Sequence, residues 1–393
     1  MLGRPSSAPL TKGMPMTDVS ASAPQVFADL GAQPGAVALL SAALASGRAS
    51  HAYLFVGPTG ALIHEAARAF AAALACENGG CGACDTCARV LRGAHQDVVE
   101  VAPLGARAYL VEQIRDLVVE AQYAPVAARR KVFILARADL MNQASANAFL
   151  KTLEEPPANV CFILMAPTET SVLPTVLSRC QVVRFRAIPA AEGTALVSER
   201  AHVAPDRAEL ALAACEGSVT DAVAFATNPA SWQLRGRVLA ALCGLDRADG
   251  WGALTAAKSF GEAWTAPVED LKTAQKETRE REREFLDARA MKEQDARDKR
   301  AQTAATAAGF ARLTSLVRGW LADVQAAQLG MPERIANTDF AGDILRVAGM
   351  ANADGIRRGM EACMRAEQHI AYNVSAQNAL DALVLELRAA LFG

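Results

Sequence analysis

The 393-residue chain has almost no net charge: 40 Lys and Arg against 42 Asp and Glu leave −2 with His neutral. Without a global basic field, nucleic acid contact would have to be local or shared with partners. No apolar run reaches the length of about 18 residues that a membrane-spanning helix needs, so no membrane contact is expected. Aromatics are only 5% of the chain, while alanine is abundant, which favours helices. A 52% apolar content over this length is enough for a sizeable core and two or three domains. Residues 1–24 are rich in Pro, Ser, Ala and Thr and lack the compact apolar segment of a secretion signal. They are read as a flexible tail, in which Met14 or Met16 could be the true start. Nine cysteines, an odd count in a chain without such a signal, argue against a disulfide framework. A reducing, cytoplasmic compartment is expected.

What is there begins with alternation. Residues 25–188 switch between helical and strand patterns. Strands are expected at 52–56 ("AYLFV"), 97–103, 131–136 ("KVFILA"), 160–166 ("VCFILMA") and 180–186. Helices are expected at 35–48, 64–75, 111–122 and 142–155, the last stopping before Pro156-Pro157, since the residue before proline is biased away from helical backbone. Such alternation implies a largely parallel sheet covered by helices on both faces. After Pro189 the strand patterns stop: residues 189–245 read as a small Ala-rich helical lid, and 246–393 as further amphipathic helices. Within the latter, about 265–303 form a charged insertion; residues 269–300 hold ten acidic and ten basic residues. Glu277/Arg281, Glu293/Arg297 and Asp295/Lys299 stand at i,i+4 with the acid first, the better orientation on a solvated helix or helical hairpin. The final helix aligns Leu380, Leu383, Val384, Leu387 and Leu391 in a stripe that needs a partner face, inside the chain or on a neighbour.

Two motifs carry chemistry. After "AYLFV" come Gly57, Pro58, Thr59 and Gly60, the start of a phosphate-binding loop of the form G-x-x-x-x-G-K-[ST]. Its last three places hold Leu62, Ile63 and His64, so the phosphate-neutralising lysine is missing. Downstream, Cys76, Cys81, Cys84 and Cys87 place four thiols within twelve residues, separated by glycines that permit tight turns. Four soft ligands favour zinc in a closed, structural site. An iron–sulfur cluster remains the alternative, although its usual proline after the last cysteine is absent, and a pair of disulfides is the other. His95 is surplus to four thiolates.

"SHAYLFVGPTG" (50–60), the four-cysteine insert, "NAFLKTLEEPP" (147–157) and "VLPTVLSRCQ" (172–181) occur in the order seen in bacterial clamp loaders. Over residues 25–190 the chain resembles the delta-prime subunits of DNA polymerase III. The tau and gamma subunits share the zinc module. The resemblance implies an α/β AAA+ domain (P-loop-type parallel sheet with a zinc module, 25–188), an all-α lid (189–245) and an all-α C-terminal collar (246–393). It also implies a ring shared with tau/gamma and delta subunits, which places a sliding clamp on primed DNA. The charged insertion has no counterpart in it.

The resemblance further implies that this member lacks its own ATP chemistry. Ile63 replaces the lysine, and His64 the Ser/Thr. Ala136 and Arg137 stand where active relatives carry Asp-Glu, with Asp139 out of register. Thr220 stands where the lid's sensor arginine is expected. No nucleotide is therefore expected here, and ATP belongs to neighbouring subunits; His64 or Arg137 is the route by which weak binding could persist. The kept feature is Ser178-Arg179-Cys180, whose Arg179 is implied to act in trans as an arginine finger on a neighbour's γ-phosphate. Ser178 and Cys180 shape the turn. Lys151, Glu154 and Glu155 are read as structural, on an exposed face or against a neighbour. The rival readings are an active AAA+ ATPase with a divergent loop and a zinc-dependent DNA-binding protein.

Overall fold

A computed structural model describes residues 23–103, 108–282, 288–372 and 374–393; of the expected tail, residues 1–22 lie outside it. The N-terminal part alternates as α1 (Pro34–Ala45), β1 (Ala52–Val56), α2 (Ile63–Ala75), α3 (Asp85–Leu91), β2 (Val98–Val101), α4 (Val111–Ala121), β3 (Lys131–Leu135), α5 (Gln143–Glu154), β4 (Val160–Ala166), α6 (Pro174–Leu177) and β5 (Gln181–Arg184). Helices α7 (Ala190–Ala201), α8 (Pro205–Ala214), α9 (Val219–Thr227), α10 (Pro229–Cys243), α11 (Gly250–Glu282), α12 (Ala288–Gln328), α13 (Ala341–Ala348), α14 (Ala353–Ala371) and α15 (Ala376–Phe392) follow. Among the described residues, no single helix is long and apolar enough to cross a membrane.

The five strands are all parallel, in the order β2-β3-β4-β1-β5. Every residue of β1 and β3 is buried, because both faces of a parallel sheet are covered. Alternate residues point to opposite faces. Tyr53 and Phe55 meet Phe70 of α2, with Tyr53 and Phe70 edge to face at 4.9 Å. Leu54 and Val56 join Phe133, Phe149 and Phe162 on the other side, where Phe149 meets Phe162 at 5.0 Å. The edge strands β2 and β5 are four residues each, shorter than the seven-residue segments the apolar patterns suggested. Asn142 caps α5 by accepting the Ser145 N–H at 2.9 Å. The architecture is α/β, a parallel five-stranded sheet covered by helices, followed by an all-helical remainder.

In that remainder the stripe on α15 finds its partner within the chain: Leu380, Leu383, Val384, Leu387 and Leu391 are buried, largely against α14 and α11. Helices α14 and α15 approach so closely that a Cβ on Gly355 would lie 2.1 Å from the Ala390 carbonyl oxygen. The charged segment forms two paired helices, α11 and α12, with 283–287 outside the described residues. Its pairing differs from the along-helix expectation. Arg281 Nε donates to the backbone carbonyl of Glu277 at 3.3 Å. Arg279 instead crosses to α12, reaching Asp295 at 2.9 Å and Asp298 at 3.1 Å. A second helix within reach offers one guanidinium two carboxylates, where its own helix face offers one. The side chains of Glu293 and Arg297 lie outside the description.

The turn between α8 and α9 joins the two parts. On one side, Gly60 (φ +82°) abuts it so tightly that a Cβ there would sit 2.2 Å from the Gly217 carbonyl oxygen. On the other, Arg318 of α12 reaches Glu216 at 2.6 Å and Glu367 of α14 at 2.5 Å, and the Ser315 hydroxyl donates to the Ala214 carbonyl at 3.1 Å. Deeper in the helices, Arg235, 2% exposed, binds Asp339 at 2.6 Å and Asn337 at 2.8 Å. Gly60→Ala combines a left-handed backbone with a backbone clash, and should cost at least about 1–3 kcal/mol. Thermal unfolding should show the loss, and hydrogen exchange should show faster opening at 217–221.

Candidate functional site: a phosphate loop without its lysine, a thiol cluster and an arginine

The loop after β1 keeps a phosphate-loop backbone. At the sixth place, where the pattern calls for glycine, Leu62 adopts φ +57°, the left-handed region that glycine favours. Leu62 is buried, so packing offsets the strain. Helix α2 starts at the next residue. Ile63 lies across Gly57, its Cδ1 3.2 Å from where a Cβ on Gly57 would be, so an apolar branch occupies the lysine's place. Gln33, buried at the base, donates to the Ala61 carbonyl at 3.0 Å and the Arg186 carbonyl at 2.8 Å, and accepts the Arg186 N–H at 3.0 Å. It pins the loop to the exit of β5. Nothing in "LGAQPG" distinguishes that glutamine from any other in a turn, and sequence reasoning missed it.

An open cavity of about 380 Å³ faces the loop, lined by residues from Gly57 to Glu65, by Ala136 and Arg137, and by Ser218 to Asp221. Its charged groups are matched internally. His64 Nε2 lies 3.1 Å from the Glu100 carboxylate, which Arg68 also grips at 2.6 and 3.0 Å. Arg137 chelates Asp139 at 2.9 to 3.1 Å. The Thr220 hydroxyl donates to the Glu65 carboxylate. Of the expected substitutions, Ile63 and His64, Ala136 and Arg137, and Thr220 all border this one cavity. Asp139 does not line it and is engaged by Arg137.

The four thiols converge at the far end of α2. All four sulfurs lie within 4.8 Å of one another, with Cys76 Sγ 3.8 Å from Cys81 Sγ and 3.6 Å from Cys84 Sγ. Tetrahedral thiolates on bonds of about 2.3 Å would be separated by about 3.8 Å, so the donor set fits a metal. Gly79, Gly80 and Gly82 take positive φ and turn the chain around the cluster. Burial opposes ionisation of Cys76, but backbone N–H groups of Cys81, Gly80 and Asn78 outweigh it and bring its thiol down to about 6. Burial pushes the Cys87 thiol up. His95 stands outside this set, its Nδ1 accepting the Asp97 N–H at 3.1 Å.

Arg179 lies outside the loop's cavity, just past α6. Its Nη1 donates to the Thr175 carbonyl at 2.9 Å and the Ser178 hydroxyl at 3.2 Å, and its Nη2 to the Glu154 carboxylate. Ser178 Oγ also donates to the Thr175 carbonyl at 3.2 Å, and burial pushes the Cys180 thiol up to about 12. Ser178 is exposed, its hydroxyl bonded back onto the turn, and Cys180 is half-buried. Glu154 ends α5, and Glu155 is its cap residue, whose N–H bonds the Lys151 carbonyl.

The loop's charge matching has a pH signature. The hydrogen bond from His64, with burial opposing and Arg68 adding, holds the Glu100 carboxyl down to about 2, from an ordinary value of 4.5. A lowered carboxyl contributes stability that is complete above the unfolded value and lost as pH falls through the folded one. In acid-unfolding experiments, wild type should therefore lose stability relative to Glu100→Gln from about pH 4.5 downward, with the gap closed near pH 2.

Residues 32–189 match the family model described as DNA polymerase III, delta subunit. The DNA polymerase III subunit tau of Salmonella typhimurium is 37% identical over 212 residues, covering 51% of this chain and 33% of that protein. The gamma/tau subunit of Mycobacterium tuberculosis is 39% identical over 171 residues, covering 42% of this chain and 29% of that protein. The chain thus spans about a third of the length of the curated relatives it matches. A DNA polymerase III gamma subunit-related protein of Thermotoga maritima aligns in structure with a TM-score of 0.40 at 18% identity, over 84% of this chain and 99% of that one. The N-terminal half of this chain is thus similar to the delta-type domain of DNA polymerase III and to about a third of the tau and gamma subunits.

Proposed function

We propose that the chain is a delta-prime-type subunit of the DNA polymerase III clamp loader: a ring member that does not hydrolyse ATP and donates Arg179 to a neighbouring ATPase subunit. The observation that carries this reading is a loop that keeps its backbone shape, left-handed Leu62 included, while its chemistry is gone. Phosphoryl transfer needs a lysine on the β/γ-phosphates, a hydroxyl and an acid for Mg²⁺, and a group that positions the nucleophile. Here Ile63 fills the lysine's place, His64 is engaged with Glu100, and Asp139 is engaged with Arg137. In this reading, residues 25–188 are the AAA+ domain, 189–245 the lid and 246–393 the collar. Its partners are tau/gamma and delta subunits, and through them the sliding clamp and primed DNA, in the cytoplasm.

Zinc is the metal that the four sulfurs suit best: all ligands are thiols at tetrahedral spacing, and no open position is left for a substrate. Cys76, Cys81, Cys84 and Cys87 would hold it, and its contribution is to fix the loop between α2 and α3.

The tau and gamma names of the sequence relatives favour a second reading, an active tau/gamma-like ATPase. ATP turnover by the purified chain that is lost in Asp139→Ala would establish it and overturn the first. In a complex reconstituted with tau/gamma and delta subunits, Arg179→Ala should lower turnover at the neighbouring site by on the order of a thousandfold while the chain stays folded. Unchanged turnover would remove the finger. Cys81→Ser should lose most of the bound zinc by elemental analysis, and the region around 76–91 should become protease-sensitive. Full zinc retention would reject the site.

A further inference from the structure

The contacts of Arg179 say how the arginine is held when no neighbour is present. A guanidinium has five N–H donors in a rigid fork, and grips a carboxylate or phosphate with two of them side by side. In this chain Nη1 is anchored to its own turn, through the Thr175 carbonyl and the Ser178 hydroxyl. Nη2 is taken by the Glu154 carboxylate, and Nε is buried with no partner. The arm therefore lies back along α6 with two of its five donors unused, Nε–H and one on Nη2, and the other Nη2 donor is taken by an acid. Glu154 is the last residue of α5, just before Pro156-Pro157. The pair is also shallow, with 32% of the arginine and 50% of the glutamate side chain exposed. Such a pair shifts a population by at most about fivefold, which is weak enough for a denser negative charge to displace it.

We propose that Glu154 is a positioning residue that parks Arg179, and that triphosphate bound by the adjacent subunit replaces the Glu154 carboxylate on Nη2 while the Nη1 contacts stay as the pivot. Engagement of the finger is then an exchange of one anion for another, and it resists entry only by the strength of the parking pair. This rests on the finger role given above. It accounts for the placement of an acid from "KTLEEPP" against the arginine of "SRC", two motifs that sequence reading treats separately.

Two measurements test it. In the isolated full chain, Glu154→Gln keeps the shape of the side chain and removes the charge; the Arg179 Nε–H resonance in NMR should shift and broaden relative to wild type. An unmoved resonance overturns the parking contact. In the reconstituted complex, Glu154→Gln should lower the ATP concentration at half-maximal turnover by roughly two- to fivefold at unchanged kcat, the range set by a half-exposed ion pair. Glu154→Asp should return toward wild type, and Arg179→Ala with Glu154→Gln should match Arg179→Ala alone. A raised half-saturating concentration, or a fall in kcat, overturns the exchange. If Arg179→Ala alone leaves turnover intact, the finger itself is wrong, and the NMR arm still reports whether the arginine is parked.

Discussion

The contact of Gly60 with the Gly217 carbonyl holds the rest in place. It is a backbone-to-backbone contact that any side chain at Gly60 would prevent, and it seats the α8–α9 turn directly on the loop. The same turn is fastened from behind by Arg318, which spans Glu216 and Glu367, and by Ser315. A loop braced in this way does not need a bound phosphate to keep its form. The geometry of this loop is maintained by its protein neighbours, with Ile63 in place of the lysine.

The substitutions follow the same logic. Three polar side chains at the cavity have internal partners, His64 with Glu100, Arg137 with Asp139 and Thr220 with Glu65. Unpaired, these partly exposed groups would be left to the water of an open cavity. Paired, they tie β2, α2 and the α9 start to the loop. Arg179 is different in kind, because its partner is shallow and its Nε is left without one. The strongly braced cavity and the lightly held arginine agree with the proposal of a subunit whose own pocket is fixed and whose arginine acts elsewhere.

Much of this was legible in the sequence because it depends on local pattern. Short apolar runs bounded by turns gave β1, β3, β4 and the helices between them, and the fully buried five-residue "KVFIL" left little choice of structure. Cysteine spacing with glycines gave the convergent sulfurs. The missing lysine could be read directly. What could not be read were long-range pairings: Gln33 with Arg186 across 153 residues, Arg318 with Glu216 across 102, Arg235 with Asp339 across 104. Nothing local marks such residues. Arg279 shows the limit from the other side, since i,i+4 spacing describes a lone helix, and a second helix alongside rewrites the choice of partner. The same holds for Glu154, which reads as an exposed helix-end charge until α6 is folded against it.

Helix α2 has the loop at its first residue and the thiol cluster immediately after its last. Thirteen residues at 1.5 Å each separate the two by roughly 20 Å. A metal held by those sulfurs therefore cannot reach a phosphate at the loop, whatever its charge or Lewis acidity. One rigid helix keeps the thiol cluster and the loop at opposite ends, so the loss of a metal held there would be felt as a loosening of the helix end and not at the loop.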